Sequence, residues 1–170
     1  MSTDREFTAF VVAHEAALLR TAYLLTGDRG HAEDLVQTAL ARAHRHWARV
    51  QRADVPVAYV RRLLVNCHLS WRRRLWHGEQ VLETLPERPA GDWQDAHALA
   101  DELRRALDLL SPRARAVLVL RFYEDLTETE TARVLGCSAS TVRTHTARGL
   151  SAVRRALDPE PTPLTDRRPS

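Results

Sequence analysis

The sequence predicts an all-α protein of two small helical domains joined by a flexible acidic linker. Three observations carry this reading. Apolar residues recur every three or four positions over most of the chain, the spacing of a helix that buries one face. Capping residues, prolines and glycines cut those stretches into helices of ordinary length. Residues 77–95 break the pattern, with two prolines, two glycines and many acids in GEQVLETLPERPAGDWQD. The expected boundaries are a first domain over 1–76, a linker over 77–95, a second domain over 96–157 and a disordered tail over 158–170.

The first helix is expected to start at Thr3, with a capping box closing on Glu6, and to run to about Leu25. Phe7, Phe10, Val11, Leu18, Ala22 and Leu25 form its apolar stripe. Thr26, Gly27 and Asp28 break it. A second helix follows from about Gly30 to Val50, burying Leu35, Val36, Ala39, Leu40, Ala43 and Trp47. After the loop QRADV, Pro56 sits where a first helical turn tolerates it. The third helix runs to about Leu75 and buries Val60, Leu63, Leu64, Cys67 and Trp71. Three helices with short connections make a compact domain.

Beyond the linker, which spans at most roughly 60 Å when extended, a helix resumes from about Ala96 to Leu110. Ser111 and Pro112 start another, with Ala114, Val117, Leu118, Leu120 and Phe122 apolar. Thr127 and Glu130 then form a capping box, and Ala132, Val134 and Leu135 supply the buried side of a short helix ended by Gly136. Ser138 or Ser140 caps the last helix. The tail, DPEPTPLTDRRPS, has no apolar period.

That last helix separates its faces cleanly. Val142, Thr146, Leu150, Val153 and Leu157 form one stripe; at about 100° per residue, Ser140, Thr144, Arg148, Ser151 and Arg155 lie opposite. Arg143 and Arg154 flank them, and no acid occurs over residues 138–157. A capped helix, a glycine turn and an acid-free second helix define a helix-turn-helix suited to the major groove, where arginine bridges both acceptors of a guanine edge.

Charge supports a polyanion partner. Arg42, Arg45, Arg49, Arg52, Arg61, Arg62, Arg72, Arg73 and Arg74 face only Asp54 over residues 42–77, whereas residues 79–102 hold seven acids against Arg88. The net charge is only +3, so distribution matters more than total. No apolar run approaches a membrane span, and the opening MSTDREF lacks the character of a signal peptide, which predicts a soluble, cytoplasmic protein without membrane insertion. Cys67 and Cys137 lie outside metal-ligand spacing and read as small buried hydrophobes. A metalloenzyme using His31, His44 and His46 is disfavoured, because His44 and His46 point to different helix faces. No catalytic residue, cofactor or metal is expected.

The motifs resemble those of the extracytoplasmic-function (ECF, group four) sigma factors, bacterial initiation factors that keep regions two and four of larger sigma factors. HAEDLVQTALARAHRHW, residues 31–47, is similar to the region-two helix that docks on core polymerase. AYVRRLLVNCHLSWRRR, residues 58–74, resembles the helix that melts and reads the minus-ten element. LSPRARAVLVLRFYEDLTETETARVLGCSASTVRTHTARGL, residues 110–150, resembles region four, which reads the minus-thirty-five element. Thr131 and Ser140 stand where the family usually has isoleucine and glycine.

The resemblance implies a factor that binds core RNA polymerase, through the beta-prime clamp helices and beta flap, and promoter DNA. Control falls to a separate anti-sigma factor or to transcription, between which the sequence does not choose. Core binding is expected at Glu33, Asp34, Gln37 and Arg42. Minus-ten contacts are expected at Arg61, Arg62, Asn66, Trp71, Arg72, Arg73 and Arg74, beside a base-capturing loop over residues 49–55. Minus-thirty-five contacts fall to Ser140, Thr141, Arg143, Thr144 and Arg148. The alternative is a stand-alone helix-turn-helix regulator with a helical sensor domain, but a sensor has no use for a basic, tryptophan-bearing third helix.

Overall fold

The computed structural model describes residues 2–76 and 98–158, and those residues are helical throughout with short connections. The linker and the tail beyond Asp158 lie outside the described residues. Helix α1 (Thr3–Thr26) starts one residue earlier than a Thr3 cap requires. Ser2 is the N-cap, Thr3 is already helical, and the Glu6 carboxylate accepts from Gln51 Nε2 at 2.5 Å instead of closing a box. Leu18, Ala22 and Leu25 are buried as expected, Phe7, Phe10 and Val11 are half-buried, and Thr21 joins the buried set.

Asp28 caps α2 (Arg29–Arg45) by accepting the His31 N–H at 2.8 Å. The expected single helix to Val50 is two. His46 leaves helical geometry with φ −117° and ψ 29°, and α3 (Trp47–Arg52) resumes beyond it. Trp47 is buried in α3, edge-on to Phe7 and Phe10 with ring centroids 5.3 Å away. Helix α4 (Pro56–Trp76) then crosses α1, α2 and α3. Its buried side includes Val60, Leu64 and Cys67, while Leu63 and Trp71 are half-buried. Val65 and His68, on another side of α4, are also buried, at 0% and 3% exposure.

The second module opens with α5 (Ala98–Asp108) and α6 (Pro112–Leu118), the latter capped by Ser111, whose hydroxyl accepts the Ala114 N–H. The expected α6 stripe holds through Leu120. A single π-turn, Val119–Tyr123, then widens the helix, with the Glu124 N–H reaching Val119 O at 3.0 Å, and Phe122 emerges 55% exposed. A π-turn adds one residue and so rotates everything after it by about 100° relative to an uninterrupted helix.

Helix α7 (Glu128–Leu135) carries the full capping box: Thr127 Oγ1 accepts the Glu130 N–H, and Glu130 Oε2 accepts the Thr127 N–H at 2.7 Å. Gly136 ends α7 at φ 65°, the left-handed turn for which glycine is suited. Ser138, rather than Ser140, caps α8 (Ala139–Leu157). Thr131 is fully buried and its hydroxyl has no hydrogen-bond partner. An unpaired buried hydroxyl is costly, so Thr131→Val is expected to stabilise the protein by about 1 kcal/mol. Thermal melts at fixed pH check this.

The two modules share a core. One buried cluster runs from Leu18, Val36 and Leu64 to Val117, Leu120, Ala132 and Val142. Polar ties cross the same boundary. Buried Arg115 donates from Nε to Leu24 O of the first module at 2.5 Å, while its Nη1 is held within the second module by Asp108 Oδ1 at 2.6 Å. Glu124 accepts from the Thr21 hydroxyl and pairs with Arg61, Nε to Oε2, at 2.8 Å.

Candidate nucleic-acid interface

In α8 the buried back and exposed front follow the predicted division. Val142 and Val153 are buried, Thr146 and Leu150 half-buried, and Leu157 alone in the stripe is 42% exposed. Ser140, Arg143, Thr144, Arg148, Ser151 and Arg155 all face solvent, and Thr141 is half-buried at the helix start beside Ser138. The face that a DNA groove would meet is therefore open. Arg143 Nε lies 3.0 Å from Glu128 Oε2 of α7, which holds a flexible side chain across the helix-turn-helix. Arg113 Nη2 donates to Leu135 O at 2.8 Å, fixing the turn from below. Burial, helped by Arg113 and Arg148, lowers the pKa of His145, so charge on this face comes from its arginines.

The arginines of α4 divide. Arg62, Asn66, Arg72, Arg73 and Arg74 are exposed, whereas Arg61 is half-buried against Glu124 of the second module. Trp71 is half-buried, its ring 5.2 Å from that of His31 and T-shaped to it. A groove of about 350 Å³ opens where α2 meets α3, lined by Arg45, His46, Ala48, Arg49 and Arg52. The expected base-capturing loop over 49–55 is mostly helix: Arg49 and Arg52 belong to α3, and only Ala53, Asp54 and Val55 connect it to α4. Arg49 and Arg52, expected within that loop, instead stand at i,i+3 spacing on α3 and are exposed.

On α2, Asp34 and Gln37 are exposed one turn apart. Glu33 and Arg42 are half-buried, with Glu33 paired to Arg29 at 3.2 Å. Among the described residues no group of histidine, cysteine or acidic side chains could hold a metal, and no helix is long and apolar enough to cross a membrane.

An open, arginine-bearing helix on a helix-turn-helix thus packs beside a second arginine-bearing helical module. Residues 10–78 match the sigma-70 region 2 family and residues 100–153 the sigma-70 region 4 family. The RNA polymerase sigma-E factor of Streptomyces coelicolor is 39% identical over 89% of this chain and 86% of its own length. The sigma-E factor of Streptomyces avermitilis is 37% identical over 90% and 86%. The structure of the sigma factor RpoE in complex with the anti-sigma factor NepR from Bartonella quintana shares the fold, with a TM-score of 0.69 at 22% identity over 92% of this chain and 99% of that chain. CnrH in complex with the cytosolic domain of CnrY gives 0.61 over 93% and 91%. The chain belongs to the extracytoplasmic-function sigma factors, and its function is to bind core RNA polymerase and direct it to promoters.

Proposed function

We propose that the two modules divide promoter recognition between them. The domain over 96–157 reads the minus-thirty-five element through Arg143, Thr144 and Arg148, with Ser140 and Thr141 on backbone phosphates at the helix start. The domain over 1–76 docks on core polymerase through the α2 face centred on Asp34 and Gln37, with Glu33 and Arg42 at its edge. It engages the minus-ten element through the α4 arginines, Asn66 and Trp71, and the Arg45, Arg49 and Arg52 groove offers a further path for phosphates. The carrying observation is the solvent-facing, acid-free front of α8 on a helix-turn-helix whose back is buried.

The chain acts without catalytic chemistry of its own, in the cytoplasm where the polymerase works. An anti-sigma factor is a further partner, as NepR is for RpoE and CnrY for CnrH. Each DNA contact is weak alone, and linking them makes the second one intramolecular. In vitro transcription with core polymerase, followed by start-site sequencing, tests the whole reading. Failure to initiate at any promoter, where a control sigma factor succeeds, overturns it.

Arg143 gives the sharpest single-residue expectation. Arg143→Ala is expected to weaken promoter-directed initiation by about 1–3 kcal/mol and to relax preference at one base pair of the minus-thirty-five element. Transcription from a library randomised over that element reads both effects. Uniform weakening at every sequence would instead make Arg143 a phosphate contact.

A further inference from the structure

We propose that Glu128 is a positioning residue for promoter reading: it holds the Arg143 guanidinium from one side, aims its free edge at a guanine and so sharpens the choice of one base pair in the minus-thirty-five element. This deepens the reading of α8 as the minus-thirty-five helix and rests on it. Arg143 Nε lies 3.0 Å from Glu128 Oε2, and the two residues belong to the two helices of the helix-turn-helix.

Both ends of the pair are anchored by their own helices. Glu128 is the first residue of α7, directly after Thr127, and the capping box between Thr127 and Glu130 fixes that turn. The box engages the Glu130 carboxylate, which leaves Glu128 as the acid of that turn able to reach across to α8. Thr131 and Ala132 pin α7 from below, and Val142, wholly buried, pins α8 one residue before Arg143.

The pair does little for stability. Its side chains are 64% and 38% exposed, and ion pairs so open to water contribute little to folding. Nor does Glu128 help DNA binding by charge. Residues 138–157 contain no acid, and a carboxylate brought to that face from α7 repels a phosphate backbone. What the contact supplies is orientation. Guanine offers N7 and O6 side by side in the major groove, and an arginine bridges them with two N–H groups. With Glu128 on the Nε side, the edge bearing Nη1 and Nη2 is the one left for a base. An unheld arginine samples many rotamers and loses that freedom on docking. A carboxylate that repels phosphate while presenting the arginine to a base lowers affinity for every sequence and raises discrimination between them.

The test is transcription by core polymerase carrying the full chain, from a promoter library randomised over the minus-thirty-five element. Wild type is compared with Arg143→Ala, Glu128→Ala, Glu128→Gln and the double variant Glu128→Ala, Arg143→Ala. Glu128→Ala is expected to relax preference about fivefold at the base pair that Arg143→Ala relaxes, the scale of freeing one long side chain. Glu128→Gln keeps an amide oxygen for Nε and is expected to recover part of that preference. The double variant is expected to match Arg143→Ala alone, because the two residues act as one unit. Three results overturn the positioning role: unchanged preference in Glu128→Ala, equal loss at every sequence, or relaxation at a different base pair, where Glu128 would itself be reading a cytosine. Arg143→Ala separates this from the underlying reading. Base-specific relaxation there, with none in Glu128→Ala, overturns the positioning alone, whereas uniform weakening removes Arg143 as a base contact and both fall.

Discussion

Arg115→Ala is expected to lower the stability of the chain by about 3 kcal/mol, the scale of breaking one side of a buried charged network. Arg115 is a charged side chain only 7% exposed, and its carbonyl partner, Leu24 O, lies in a different module. Truncation removes that donor and leaves a void where the guanidinium lies between Leu24, Gly27 and Asp108. The Asp108 partner contributes less to the loss, because at 47% exposure it can return to water. Arg115→Met fills much of the same volume and is expected to recover part of the loss, the remainder reporting the orphaned carbonyl. Urea unfolding followed by circular dichroism measures both. Equal stability of wild type and Arg115→Ala would show that the tie between modules contributes nothing.

The second large effect is a fall in stability with acid. His68 is 3% exposed, its Nδ1 has no hydrogen-bond partner, and its pKa falls from 6.5 to about 4. Burial is the main cause; Arg72 on its own helix, Arg115 from α6 and His31 from α2 add positive charge around it. The unfolded chain therefore takes up a proton near pH 6.5 that the folded chain refuses until about pH 4. In that window the unfolded state binds more protons, so stability rises with pH; it is fully present above 6.5 and declines as pH falls toward 4. At 1.36 kcal/mol per pKa unit, the decline attributable to His68 is about 3 kcal/mol. His68→Leu removes this slope, so the difference between the two proteins in urea midpoints at pH 7.5 and pH 4.5 isolates it. The comparison is needed because carboxylates such as Glu130, whose pKa its bonds to Thr127 lower, add acid sensitivity below that range.

Most helices were legible because their ends are written in local chemistry. Asp28, Ser111, Thr127 and Ser138 each accept a backbone N–H of the turn they start, and Gly27 and Gly136 end helices at positive φ. The open face of α8 was legible because one helix's own spacing decides it. The break at His46 was not, since neither glycine nor proline marks it. The π-turn escaped for the same reason, and with it the exposure of Phe122. Val65 and His68 lie off the main apolar stripe of α4, a helix that also packs against α6 and α7 of the second module. Periodicity within one helix cannot report such a neighbour. Arg61 was read correctly as part of a basic block, but its partner Glu124 is decided by tertiary packing.

The bond between Thr21 and Glu124 joins positions 103 residues apart. Closing so long a loop carries an entropic penalty that local helix formation does not, so the helical hairpins form early and their docking comes late. During synthesis at roughly 5–20 residues per second, the nascent chain spends several seconds with α4 made and its eventual cover still untranslated. The newborn first half is thus briefly greasy along Val65, a window in which premature self-association competes with completion of the fold.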